Sequence, residues 1–355
     1  MNTFRVACLS GGGMRIIAHV GALERFYDIP DFHFDGIVGT SAGSLCASYC
    51  GWSRDGRWPS RIDIRQRIGE LRNILGGLKS ERDIFGQHGG KAALIRRILP
   101  SFLIDGDIRS VVAAAAAGKS GAFTMEPLRK LLQANIPKEA IWTTRSRIGA
   151  VRYDEPGSPY YEVNLSEYNR DGAIEATLAS CSIPIWVGPV ALDGGQWFDG
   201  GVANLSPLAA AVRVLKALST DPSDRLELFL LNCSPHFDQK GQPVVSRKPI
   251  WLGIFDVAKW VLDKMLEVAW QDDIRRLYLV NRQAVSGITV KSTHRYIDVF
   301  SIDPEFAIPL NSGHYTAANL QPGIINGRLA VENFLKDKEK RKIENLATPD
   351  WWTAD

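Results

Sequence analysis

The sequence has no long apolar run, no cysteine motif and no strong charge of either sign, and each shortage removes a class of protein. No stretch reaches the roughly eighteen uninterrupted apolar residues that a membrane-spanning helix needs. The opening segment, Met1 to Leu9, is too weakly apolar for a secretory signal peptide and runs straight into glycines, so it reads as a first strand. The five cysteines (Cys8, Cys46, Cys50, Cys181 and Cys233) are odd in number and scattered, with no C-x-x-C pair and no Cys/His cluster. They predict buried thiols in a reducing compartment, with neither a disulfide framework nor a metal centre. A cytoplasmic location is expected. Lys+Arg 42 against Asp+Glu 39 leaves a net charge of only +3, too little for a nucleic-acid binder that works by bulk charge. Internal repeats and low-complexity linkers are missing too. What is present is ordinary globular composition, 45% hydrophobic and 23% charged over 355 residues, enough for one large α/β domain or two smaller ones.

Periodicity supplies the architecture. Phe4 to Leu9 is a β-branched, apolar run that stops at Ser10-Gly11-Gly12-Gly13. Ile17, Val20, Leu23 and Phe26 then fall three apart, a helical stripe. A short strand, Gly36-Ile37-Val38, breaks at Gly39, and small residues from Ala42 to Tyr49 open a second helix. Strand, glycine loop, helix, strand, tight turn, helix is the order of a mainly parallel, helix-covered sheet, an α/β fold. Residues 51–100 change character, with eleven basic residues against five acidic and a helical apolar pattern at Ile62, Ile64, Ile68, Leu71, Ile74 and Leu75. Two readings stand for this basic insert: a solvated helical face, or a cap facing anionic headgroups.

Further on, Val111 to Ala117 reads as a helix and Met125-Glu126-Pro127-Leu128 opens another. Arg147 to Val151 and Tyr160 to Val163 read as paired strands, and Asp193-Gly194-Gly195-Gln196 as a hairpin turn. Leu226 to Leu231 and Tyr296 to Phe300 are later strands, Trp251 to Tyr278 is a long helical stretch, and 336–345 a charged, fraying helix end.

The strongest chemical signal is Gly39-Thr40-Ser41-Ala42-Gly43, a G-x-S-x-G between a short strand and a helix. That context suits a nucleophile elbow, with Ser41 on a strained turn and the helix N-terminus aimed at a developing oxyanion. Gly11-Gly12-Gly13-Met14-Arg15 fails as a dinucleotide loop, because Ile16 stands where the third glycine is required. Gly118-Lys119-Ser120 fails as a phosphate loop, because Ala113 replaces its first glycine. The glycine run is left as a nest of amides able to hold an anion, and an oxyanion hole is the economical reading. For the base, an ordinary α/β-hydrolase would use a histidine, and His236, His294 and His314 are available. The alternative is Asp199 in Trp197-Phe198-Asp199-Gly200-Gly201, a carboxylate able to activate serine directly. Asp193, in the other Asp-Gly-Gly, sits at the expected hairpin tip, whereas Asp199 follows the returning strand.

These residues resemble a family. Gly11-Gly12-Gly13-x-Arg15, Gly39-Thr40-Ser41-Ala42-Gly43 and Asp199-Gly200-Gly201, in this order, are similar to the patatin-like phospholipases. Ala18-His19-Val20-Gly21-Ala22-Leu23, Glu126-Pro127-Leu128, Ala179-Ser180-Cys181-Ser182-Ile183-Pro184, Asn204 and Pro207 add to the likeness. So does Ile325-Asn326-Gly327-Arg328-Leu329-Ala330, similar to the start of the family's terminal helix. The resemblance implies a three-layer α/β sandwich and a single hydrolase domain over 1–335. Its core motifs fall in 4–207, a helical basic insert at about 51–135 and a C-terminal extension in 208–335, before a charged tail at 336–355. It implies Ser41 as nucleophile, Asp199 as base, Gly11, Gly12 and Gly13 as the oxyanion hole, and Arg15, Gly39, Gly43, Gly200 and Gly201 in support. One departure is Ile16, where the family commonly has glycine.

The implied activity is lipid acyl hydrolysis of the phospholipase A or lysophospholipase type. No cofactor or metal is expected, and the substrate is a phospholipid or another acyl-ester lipid. Peripheral contact with a membrane surface fits the basic insert and the aromatics Trp251, Phe255, Trp260 and Trp270, although a core helix needs the same stripe. Some relatives wait for an activator. A malonyl-type acyltransferase would need histidine where Thr40 stands. A general carboxylesterase or thioesterase with the same pair, or a catalytically silent lipid- or acyl-binding module, are the other readings. No nucleic-acid partner is expected.

Overall fold

The computed structural model describes residues 1–79, 83–89, 120–237, 295–306 and 317–346, together with 271, 274, 275, 277–279 and 281. The expected helix at 111–117, the loop at 118–119, most of the 251–278 stretch with its four aromatics, His294, His314 and the tail beyond 346 lie outside the described residues.

Eight strands form the main sheet: β1 (Thr3–Leu9), β2 (Gly36–Thr40), β3 (Ser146–Arg152), β4 (Tyr160–Asn164), β5 (Val190–Leu192), β6 (Gly195–Asp199), β7 (Arg225–Leu231) and β8 (Asp298–Ile302). From β8 the order runs through β7, β1 and β2 to β3, all parallel. Beyond β3 the sheet turns antiparallel, with β4 on its outer edge and the β5–β6 hairpin beside its second half. The hairpin turns at Asp193 and Gly194, with φ of 51° and 70°, as the Asp-Gly-Gly spacing predicts.

Period-two alternation divides the core. Ala7, Leu9, Ile37, Phe229, Leu231, Phe300 and Ile302 face one side, where α1 (Ile16–Asp28), α2 (Ala42–Gly51), α3 (Arg61–Gly77), α4 (Glu126–Asn135), α5 (Arg170–Ser180) and α7 (Ala317–Lys336) lie. Val6, Cys8, Val38, Leu228, Leu230 and Val299 face the other, packed with α6 (Leu208–Leu218) and with Ile274 and Leu277. The result is the expected α/β sandwich of a mixed, mostly parallel sheet between helical layers. A ring cluster of Phe26, Phe32, Phe34, Phe229, Phe300 and Phe334 joins α1 and α7 to the centre of the sheet. All five cysteines are buried.

Three expectations change. The 325–330 segment lies inside α7 and does not start it, because its glycine serves helix packing. A Cβ on Gly327 would stand 2.0 Å from the Ala18 carbonyl oxygen, and one on Gly21 would stand 2.1 Å from the Ile324 oxygen, so the two glycines let α1 and α7 cross backbone to backbone. The 336–345 segment is docked and not frayed. Lys338 reaches Glu227 at 2.7 Å and Lys342 reaches Asp298 at 3.0 Å, satisfying two nearly buried carboxylates at the strand ends, while Ile343 and Leu346 enter the core. The basic helix α3 is also a structural member. Arg61 donates to the carbonyls of Tyr27, Ile29 and Phe32, Arg67 to those of Cys50 and Trp52, Arg65 pairs with Asp28 and Arg72 with Glu24. Its charge is therefore turned largely onto the domain itself.

Candidate active site

Ser41 sits between β2 and α2 at φ 53°, ψ −120°, in backbone space that L-residues rarely occupy. The flanking glycines make the turn possible. A Cβ on Gly39 would lie 2.2 Å from the Gly43 carbonyl, and one on Gly43 2.3 Å from the Leu9 oxygen. Strand, turn and helix thus close to backbone contact, and the serine is lifted out of the sheet at the carboxyl end of β2.

Strand pairing explains why Asp199 is its neighbour. β4 occupies one edge of β3 along residues 147–151. The opposite edge is shared: β2 pairs along it as far as Thr40 opposite Gly149, and β6, running the other way, takes over with Asp199 opposite Ala150. The two strands meet end to end. Continued by one residue, β2 would have placed Ser41 opposite Ala150, so Asp199 holds the seat that Ser41 leaves. The Ser41 side chain comes near enough to the Asp199 carboxylate to favour its charged form, without an intervening histidine among the described residues.

Both groups are nearly inaccessible, Ser41 at 6% and Asp199 at 4%. Burial raises the Asp199 pKa to about 7 from 3.8, opposed by hydrogen bonds from Ser41 and from the Gly201 N–H at 2.7 Å. Gly200 passes close to β3, where a Cβ would come 2.4 Å from the Gly149 oxygen. Asp193, by contrast, is exposed at the hairpin tip and accepts from the Tyr168 hydroxyl.

The glycine loop stands beside the elbow, where a Cβ on Gly11 would lie 3.3 Å from Ser41 Cβ. The Gly11 N–H donates to the Leu205 carbonyl at 2.9 Å, which takes it out of the expected trio of oxyanion donors and leaves Gly12 and Gly13. Gly13 has φ 56° and starts a short turn of 3-10 helix that ends at Arg15. The Arg15 guanidinium donates to Ser234 Oγ at 2.7 Å, and burial together with this positive charge pushes His236 down to about 3. Ile16, at the glycine position of the family, begins α1 in ordinary helical backbone and packs into the core, so it asks nothing of the loop that glycine alone could give.

Two features carry no role in the sequence reading. His19 is fully buried beneath the loop, its Nε2 2.8 Å from the Ser10 oxygen and 3.0 Å from Cys233 Sγ. Burial pushes its pKa down to about 4 and keeps the ring neutral. Its Nδ1 has no partner, which fits the tautomer with the proton on Nε2, donated to Ser10. Cys233 in turn supports the loop from below, since a Cβ on Gly12 would strike its side chain at 2.3 Å. The second feature is Ser180-Cys181-Ser182, which touches both Ser41 and Asp199. The Ala179–Pro184 stretch was visible as a likeness, but only long-range geometry shows what it contacts.

No curated protein matches the chain. Among solved structures, VipD from Legionella pneumophila is similar at 11% identity and a TM-score of 0.34, over 94% of this chain and 67% of that one. The family model described as patatin-like phospholipase matches residues 7–212, more than half of the chain and all of the elbow, glycine loop and Asp-Gly-Gly turn. By that match the chain belongs to the patatin-like phospholipase family.

Proposed function

We propose that the protein hydrolyses fatty-acyl esters of lipids, in the manner of a phospholipase A or lysophospholipase, through an acyl-serine intermediate on Ser41. The observation that carries this reading is the placement of Ser41, on its strained glycine-framed turn, beside a buried carboxyl that takes the next strand position along β3 and whose pKa lies at about 7. A base is most effective when its pKa is near the working pH. Asp199 takes the hydroxyl proton as Ser41 Oγ attacks the ester carbonyl carbon. The Gly12 and Gly13 amides meet the charge on the carbonyl oxygen, with Arg15 supporting their loop, and each such donor is worth about 3–4 kcal/mol in the barrier. Collapse breaks the ester bond, and the leaving alkoxide takes the proton from Asp199. Water, deprotonated by the same carboxylate, then attacks the acyl-serine and releases the fatty acid, restoring Ser41.

Family membership supports lipid as the substrate class, since patatin-like proteins are lipid acyl hydrolases. The test is fatty-acid release from mixed phospholipid vesicles by the wild type, Ser41→Ala and Asp199→Asn, with intact-mass analysis after a serine-reactive phosphonate. Release by wild type alone, with a single adduct on Ser41, is expected. An Asp199→Asn protein that keeps its activity would break the assignment of the base. An adduct without release would point to another ester or to a required activator.

A further inference from the structure

We propose that Ser180 is a positioning residue whose hydroxyl stands in for a missing rung of the sheet, and so fixes Ser41 against Asp199. The proposal rests on the reading of these two residues as nucleophile and base. It begins with the ladder between β2 and β3. The Ile37 N–H donates to the Arg145 carbonyl. In a parallel pair such bonds recur every second residue, so Gly39 falls to Arg147, and Ser41 would fall to the carbonyl of Gly149. The elbow prevents that last bond, because Ser41 turns out of the sheet at φ 53°. It would leave a buried N–H and a buried C=O facing each other across a gap, an arrangement that proteins rarely tolerate.

Ser180 closes the gap. Its hydroxyl accepts the Ser41 N–H at 3.0 Å and donates to the Gly149 oxygen at 2.6 Å. The side chain is wholly buried, and one donor and one acceptor position are both used, so its rotamer is fixed. The next two residues hold the rest of the arrangement. The Cys181 thiol donates to the Ser41 carbonyl at 3.3 Å, and the Ser182 carbonyl accepts the Asp199 N–H at 2.9 Å. Three consecutive residues at the end of α5 thus grip the backbone of Ser41 at both its amide and its carbonyl, and the backbone of Asp199 at its amide. The distance between serine hydroxyl and carboxylate is set through this clasp. Ser180 touches neither substrate nor the reacting oxygen; it acts by holding the strained turn in place.

The test compares wild type with Ser180→Ala, Ser180→Cys, Ser180→Thr and a control, Thr177→Val. Thr177 is an equally buried hydroxyl one turn earlier on α5 that bonds only back to the Ala173 carbonyl. The assay is hydrolysis of p-nitrophenyl butyrate across pH 5–9, with rates normalised to Ser41 labelled by a fluorophosphonate, and folding is followed by circular dichroism. Ser180→Ala should lower kcat about 100-fold, the usual loss for a displacement near 1 Å, with KM nearly unchanged. The acid limb of its pH profile should move upward, because a displaced Ser41 no longer stabilises the Asp199 carboxylate by hydrogen bonding. Ser180→Thr, which keeps the hydroxyl, should restore both rate and midpoint. Ser180→Cys keeps the volume and only weakens the bonds, so it carries the test if the alanine variant does not fold. Thr177→Val should leave the midpoint where it is. A Ser180→Ala or Ser180→Cys protein with wild-type kcat per labelled serine and an unmoved acid limb would overturn the positioning role. A wild type that neither hydrolyses the ester nor takes the label would instead overturn the dyad, and this proposal with it.

Discussion

Replacing Asp199 with asparagine should stabilise the protein above neutral pH while abolishing hydrolysis. The carboxyl is held at a pKa of about 7 against 3.8 for an ordinary aspartate, chiefly by burial. A proton is therefore bound more tightly in the folded chain than in the unfolded one. The associated stability is fully present below pH 3.8, declines as pH rises and is lost once pH passes 7. With 1.36 kcal/mol per pH unit, the full penalty for keeping a charged Asp199 in place is about 4 kcal/mol, of which about 2–3 kcal/mol appears between pH 5 and pH 8. Asparagine has no proton to lose in this range. Its amide oxygen can still accept the Gly201 N–H that Asp199 accepts at 2.7 Å, and its NH2 can donate to Ser41. Urea unfolding of both proteins at pH 5, 6, 7, 8 and 9 would give the difference as a curve, small on the acid side and level above pH 7–8. Hydrolysis by the wild type should climb over the same interval, since the base works only when ionised. A difference that does not vary with pH, or an asparagine variant less stable throughout, would refute the reasoning.

Gly43→Ala would drive a methyl to 2.3 Å from the Leu9 oxygen, and should cost about 1–3 kcal/mol in unfolding free energy and suppress phosphonate labelling of Ser41. Gly327→Ala should cost a similar ~1–3 kcal/mol by forcing α7 off α1, but molecules that stay folded should still take the label on Ser41, because the added methyl meets Ala18 and Ala22 and no residue of the elbow. Arg67→Ala strips hydrogen bonds from the carbonyls of Cys50 and Trp52 and removes a guanidinium stacked 3.7 Å over the Trp52 ring; denaturant melts should show a loss of about 1–3 kcal/mol. Arg65→Ala, which breaks an exposed pair with Asp28, should change the same melts by less than about 1 kcal/mol.

Local chemistry made much of this legible in the sequence. The G-x-S-x-G between strand and helix marks a strained turn because only glycine fits the approaches at positions 39 and 43, and this requirement is visible in the residues themselves. The hairpin at Asp193-Gly194 was readable for the same reason, and its exposure leaves Asp199 as the buried carboxylate. Long-range pairing was not readable. That β2 and β6 share one edge of β3 depends on register, which no single segment encodes. Nothing near Gly11 in the sequence shows that its amide is taken, because its partner, Leu205, arrives from far along the chain. The charged residues after α7 looked solvated, since their counterparts Glu227 and Asp298 belong to distant strands. The basic face of α3 was legible, but the carbonyls and carboxylates that receive its arginines come from other segments and were not.

The place of β1 in the sheet also governs the order in which the chain can be completed. β1 is made first, yet one of its two edges is covered only by β7, and Arg5 must wait for Glu227 across 222 residues. At the usual pace of synthesis, about 5–20 residues per second, that edge stays open for roughly 10–45 s on each ribosome. During this interval a strand rich in Val, Ala, Cys and Leu offers a bare row of amides and carbonyls to whatever passes. The same gap separates similarity from autonomy. The stretch recognisable by family ends at residue 212, before β7 exists, so a nascent chain of that length holds Ser41 and Asp199 but not the strand that covers the open edge of β1.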